Sequence, residues 1–203
     1  KFHPLADVAR LARLGVREVG ENRVQEATAK VRDLAQEHPD LVDVVHWNMV
    51  GHIQSNKAAA VAGWADRVHS VDSAKVARGL ERGRARVATE LDQVEPLPVL
   101  LQLSLDGDPA RGGVTREALP ELADLVAGLT HLRLAGLMVV PPLDGDPAAH
   151  FADAAGVLET LRRDHPGAVE FSAGMTADME AAVAAGSTCV RVGTAVLGPR
   201  PVV

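Results

Sequence analysis

The chain has 203 residues, 47% of them hydrophobic and 24% charged, with a formal net charge of −6. That length and balance suit one globular domain spanning residues 1–203 and exclude a disordered or fibrous chain. An acidic balance with only two Trp, three Phe and no Tyr argues against a nucleic-acid binder, which needs a basic face and stacking platforms. A lone cysteine, Cys189, cannot form an intrachain disulfide and reads as a small strand residue in a reducing, cytoplasmic setting. No apolar run reaches the length of a membrane span, so no membrane partner is expected.

Taken in chain order, β-like runs alternate with helical stretches, the pattern of a parallel (β/α) architecture. The chain opens with a loop, Lys1 to Pro4, and the amphipathic stretch "LADVARLARLG", which Gly15 should stop. The first run, "VREVG" (16–20), leads into a helix over "RVQEATAKVRDLAQ" that Asn22 could cap. Next come "VVHWNMVG" (44–51) and "DRVHSVD" (66–72), followed by a long helix over "SAKVARGLERGRARVATELDQ". After "PVLLQLSL" (98–105) the segment "REALPELADLVAGL" reads as a helix with Pro120 in its first turns. The last runs are "RLAGLMVV" (133–140), "AVEFSAG" (168–174) and "CVRVGTAVLG" (189–198), with the helix "DMEAAVAAG" between the final two.

Seven runs are one short of a closed barrel, and residues 1–15 resemble the tail of another unit. The expectation is therefore a (β/α)8 TIM barrel whose first strand lies upstream of Lys1. The competing architecture, an open doubly wound sheet, lacks support because no GxGxxG turn follows a strand.

In such a barrel the site forms where strands give way to loops at their C-terminal ends. Those positions hold Lys1, Asn22, the segment Gly51 to Lys57, Ser70 and Asp72, Met138, Ser172 to Thr176, and Arg191 to Thr194. "SAGMT" and "GT" occupy the loops that usually hold phosphate, and Thr176 could cap the following helix. An amine at a strand end, donors for a phosphate and an inward arginine match what pyridoxal 5'-phosphate requires. An arginine opposite the ring nitrogen keeps it unprotonated and weakens the ring as an electron sink. His46, His52 and His69 lack metal-ligand spacing and read as structural or loop histidines, so no metal is expected. "LDGDPARGG" reads as a turn, not a calcium loop.

The segments "KFHP", "GENRVQEA" (20–27), "HWNMVGHIQSNK" (46–57), "VHSVDS" (68–73), "QLSLDGDPARGG" (102–113), "GLMVVPP" (136–142), "SAGMTADMEAAVAAGST" (172–188) and "VRVGTAVLGPR" (190–200) occur in an order that resembles the pyridoxal phosphate homeostasis proteins, the YggS/PROSC family. The resemblance covers almost the whole chain. It implies the type III pyridoxal-phosphate fold, the barrel of alanine racemase without its second domain, and a non-catalytic role in holding, buffering or supplying the cofactor. Carried over by motif, Lys1 is the Schiff-base lysine, Asn22 sits beside the cofactor and Arg191 faces the pyridine nitrogen. Thr176, Gly193 and Thr194 hold the phosphate, together with Ser172. Two departures stand out: Asn48 replaces a usual histidine, and "SAGMT" replaces "SMGMS". Apo pyridoxal-phosphate enzymes are the partners the family role implies, and a monomer is the expected state.

The alternative is an amino-acid racemase-like enzyme. Racemisation needs two acid/base groups, and racemases of this fold draw a tyrosine from a second domain. This chain has no tyrosine and ends just after the last barrel motif. A further reading is a regulatory module whose "GHIQSNK" and "DGDPARGG" loops contact a partner protein.

Overall fold

The computed structural model describes residues 3–91, 93–142 and 144–198. Helices and strands alternate as α1 (Leu5–Arg13), β1 (Glu18–Glu21), α2 (Val24–Glu37), β2 (His46–Met49), α3 (Ala58–Val61), β3 (Arg67–Val71), α4 (Ala74–Glu90) and β4 (Leu97–Leu103). They continue with α5 (Leu119–Ala127), β5 (Leu132–Val139), α6 (Pro147–Asp164), β6 (Glu170–Met175), α7 (Met179–Ala184), β7 (Cys189–Arg191) and α8 (Thr194–Leu197). The seven strands pair in chain order, β1 to β7, and every pairing is parallel.

Local chemistry sets the helix ends. Ser73 Oγ accepts from Val76 N at the start of α4, and Asp146 accepts from Ala148 N at the start of α6, with Pro147 in its first turn. Pro120 lies in the first turn of α5, and α1 stops before Gly15, whose φ of +91° suits glycine. All seven sequence runs contain a strand, but the run 189–198 is strand only over Cys189–Arg191. Its neighbour β6 pairs with it up to Met175↔Arg191 and ends there, so no ladder exists beyond. The released residues Thr194–Leu197 turn into α8 instead.

The sheet curls on itself. His69 of β3 lies 2.9 Å from Ser172 of β6, and Arg67 lies 3.0 Å from Glu170, although two strands separate these pairs in the sheet. Only a path through the interior makes such contacts, so the strands form a nearly closed barrel. Outward side chains, among them Val68, Val99, Leu101, Leu137 and Phe171, join Leu80, Val126, Phe151 and Leu158 in the main core under the helices. Fully burying a side chain such as Phe151 contributes about 1.5–3 kcal/mol. The interior is divided: Leu100, Ala135 and Met138 fill one side with apolar volume. Polar side chains of β1, β2, β3, β6 and β7 fill the other.

Candidate functional site

The C-terminal ends of β1, β2 and β3 are drawn tightly together. Val50 N and Gly51 N both donate to Glu21 O, at 2.9 and 3.3 Å, and Ser70 Oγ donates to Gly51 O at 2.6 Å. A Cβ at Gly51 would stand 2.1 Å from Asn22 O, so only glycine permits this approach. The result places Asn22 at the barrel mouth with an exposed side chain. It does not cap α2, whose N-cap is Arg23 without a side-chain bond, and it has no hydrogen-bond partner among the described residues.

On the opposite side, the loops after β6 and β7 meet. Thr176 Oγ1 accepts from Ala195 N at 3.4 Å. Thr176 is not the cap of α7; Asp178 stands at that position, and its carboxylate accepts from Met175 N at 2.6 Å. Thr176, Gly193 and Thr194 are exposed, and their backbone N–H groups find no acceptor among the described residues. Free N–H groups and hydroxyls converging from two loops suit an anion.

Arg191 closes β7 and turns inward. Its Nη1 donates to Ser172 Oγ at 2.7 Å and its Nη2 to the Val139 carbonyl at 2.8 Å. Burial pulls its pKa below the ordinary value, while Cys189 and Asp178 oppose that fall. Ser172 is fully buried and its hydroxyl is shared between Arg191 and His69, so it stands behind the arginine rather than in the exposed phosphate loop. Burial also raises the Cys189 thiol pKa, which makes it a poor nucleophile. Lys1 lies outside the described residues.

His69, read from the sequence as a structural or loop histidine, is a buried structural one, and its place beside Ser172 is one that the sequence does not anticipate. It is 1% exposed, and its pKa is lowered to about 3 by burial first and by the cations Arg191 and Arg67 second. Its Nε2 lies 3.0 Å from Asn48 Oδ1, and Asn48 Nδ2 donates to Glu18 Oε2 at 2.8 Å and to His46 O at 3.2 Å. Alternation from Val68, which packs under the helices, turns His69 inward, but it would turn Val71 inward as well; Val71 joins the outer core only because the register shifts between Val68 and Val71.

Across the mouth, Arg111 is fixed by Asp106 at 3.2 Å and by the carbonyls of Val140 and Pro141. The Asp106 carboxylate accepts from Asp108 N at 3.1 Å, the local bond of a turn. No three His, Cys, Asp or Glu side chains group as metal ligands would among the described residues. No helix among them is long and apolar enough to cross a membrane.

Fold and site together define a parallel (β/α) barrel whose C-terminal mouth gathers free N–H groups and hydroxyls beside an inward arginine. The family model for the alanine racemase N-terminal domain matches residues 1–201. A pyridoxal phosphate homeostasis protein of Corynebacterium glutamicum is 48% identical, covering 99% of this chain and 88% of the relative. PipY of Synechococcus elongatus PCC7942, solved with PLP bound, is 34% identical with a TM-score of 0.81, covering 97% of this chain and 88% of that one. Alanine racemase of Corynebacterium glutamicum matches with a TM-score of 0.71 at 18% identity, covering 98% of this chain and 53% of that one, which is a likeness of fold. The chain belongs to the family of pyridoxal phosphate homeostasis proteins.

Proposed function

We propose that this protein binds pyridoxal 5'-phosphate at the barrel mouth and serves cofactor homeostasis in the cytoplasm without catalysing a reaction of its own. The observation that carries the reading is the Arg191 guanidinium, anchored at the end of β7 beside the unclaimed donors of Thr176, Gly193 and Thr194. A phosphate suits those donors, and a pyridine nitrogen suits the guanidinium N–H groups that Ser172 and Val139 leave free. The cofactor bound in PipY and the name of the Corynebacterium glutamicum relative support the same ligand class.

In this reading Lys1 supplies the amine and Asn22 flanks the ring. Thr176, Gly193 and Thr194 hold the phosphate, and Ser172 acts through Arg191. Pyridoxal phosphate supplies an aldehyde, which an amine converts to an imine with release of water. Arg191 offers donors but no proton at neutral pH, so the ring nitrogen stays unprotonated and the ring is a weak electron sink. The chain also has no tyrosine to act as a second acid/base group. Both points favour holding and release over racemisation, with apo pyridoxal-phosphate enzymes as recipients and a monomer as the working form.

The test is an absorbance spectrum of the protein with added pyridoxal phosphate, before and after borohydride, compared with Lys1→Ala. A visible band that reduction abolishes and the variant lacks supports the site. A protein that takes up no cofactor overturns it, and alanine racemisation above roughly 1 s⁻¹ overturns the non-catalytic assignment.

A further inference from the structure

The barrel interior contains one continuous line of hydrogen bonds whose direction is fixed by its ends. At one end Asn48 faces two acceptors, the His46 carbonyl at 3.2 Å and Glu18 Oε2 at 2.8 Å. Its NH2 must point at them, so its Oδ1 points at His69 Nε2, 3.0 Å away. An amide oxygen only accepts, which places the proton of the neutral imidazole on Nε2 and leaves Nδ1 with a lone pair. At the other end Arg191 only donates, and it donates to Ser172 Oγ at 2.7 Å. The Ser172 hydroxyl proton is then free to turn to His69 Nδ1 at 2.9 Å. The Cys189 thiol also neighbours Ser172, but sulfur is the weaker acceptor.

Every donor meets an acceptor along Arg191, Ser172, His69, Asn48 and Glu18. Reversing any link sets two donors or two acceptors face to face. The charged groups around the line are already matched, since Arg67 lies 3.0 Å from Glu170 and 3.9 Å from Glu18.

We propose that His69 is a positioning residue for Arg191: through the Ser172 hydroxyl, its Nε2–H tautomer fixes the guanidinium at the mouth of the barrel. This rests on the reading that Arg191 meets the cofactor ring, and it assigns to an interior histidine a part that no surface residue plays. Asn48, which cannot titrate, stands between the imidazole and the Glu18 carboxylate, so no ionisable side chain touches Nε2 directly.

Two measurements test it. In the cofactor-free full chain with 15N-labelled histidine, long-range proton–nitrogen correlation should show His69 protonated at Nε2 and bare at Nδ1 from about pH 8 to about pH 5. An Nδ1–H tautomer or an imidazolium in that range overturns the proposal. Pyridoxal phosphate titrations should then separate His69→Asn from His69→Gln. The Asn side-chain oxygen replaces the Nδ1 acceptor, whereas Gln replaces the Nε2 side of the ring. His69→Gln should weaken binding by up to about tenfold, the upper end for one neutral hydrogen bond, and His69→Asn should recover most of that loss. Ser172→Ala should weaken binding by the same factor, and adding His69→Gln to it should cost nothing more. Losses that multiply, or equal affinities for both histidine variants, overturn the positioning role. A wild-type chain that takes up no pyridoxal phosphate overturns the reading of the site instead, and the tautomer then decides the interior line alone.

Discussion

Lowering the pH from 7 to 5 should charge His69 in the unfolded chain and leave it neutral in the folded one. Its ordinary value of 6.5 falls to about 3 in the fold, chiefly through burial, with Arg191 and Arg67 adding repulsion. The carboxylates nearest the line, Glu170 and Glu18, face Arg67 and Asn48 rather than the imidazole. The folded state therefore binds fewer protons than the unfolded one between these two values. The contribution to stability is complete above about pH 6.5 and is lost progressively down to about pH 3. At about 1.4 kcal/mol per pH unit, the roughly 1.5 units between 6.5 and 5 amount to about 2 kcal/mol. His69→Gln removes the titration and keeps every other ionisable group. Urea unfolding of the cofactor-free wild type and the variant at both pH values gives four free energies and one double difference. The wild type should lose about 2 kcal/mol more than the variant on acidification. Equal losses, within about 0.5 kcal/mol, would show that His69 is not held neutral and would refute the account of the barrel interior.

Gly51→Ala should separate the mouths of β1 and β2, because its Cβ would stand 2.1 Å from Asn22 O; unfolding experiments should show a loss of about 1–3 kcal/mol together with weaker cofactor binding. Lys30→Met should leave the Glu21 carboxylate, 5% exposed and 2.5 Å from the Lys30 ammonium, without its counter-charge, at a cost of about 3–5 kcal/mol in urea unfolding. Thr194→Ala removes one hydroxyl from the proposed phosphate site, so titrations should show pyridoxal phosphate binding weakened several-fold, by about 1 kcal/mol, with pyridoxal itself unaffected.

Much of the fold is legible because each strand carries two signals at once, an apolar run and a glycine or polar stop. "RLAGLMVV" and "PVLLQLSL" give β5 and β4 almost to the residue, since both are buried on two faces and read as continuous apolar stretches. The run 189–198 misleads for the same reason. Apolarity alone does not separate a strand from one turn of helix, and the deciding fact, that β6 ends at Met175 and leaves no partner, is a long-range one.

The site divides along a similar line. Asn22, Thr176, Gly193 and Thr194 are legible because glycine, hydroxyl and amide groups at strand ends carry local chemistry, and the chain places all four at the mouth. The capping roles offered for Asn22 and Thr176 fail because the N-cap positions fall one and two residues later, at Arg23 and Asp178; Asn22 is left exposed and Thr176 Oγ1 accepts from Ala195 N instead. Ser172 and His69 are different, since their meaning lies in a bond between strands 103 positions apart in the chain. No spacing rule reaches across that distance, but the physical need is visible in retrospect. An arginine drawn into a barrel needs fixed acceptors, a serine that accepts from it must pass its own proton onward, and a neutral histidine whose second nitrogen is tied to an amide is a receiver that adds no charge. Asn48 completes the logic: an amide at that position accepts from the imidazole and carries no proton of its own to titrate.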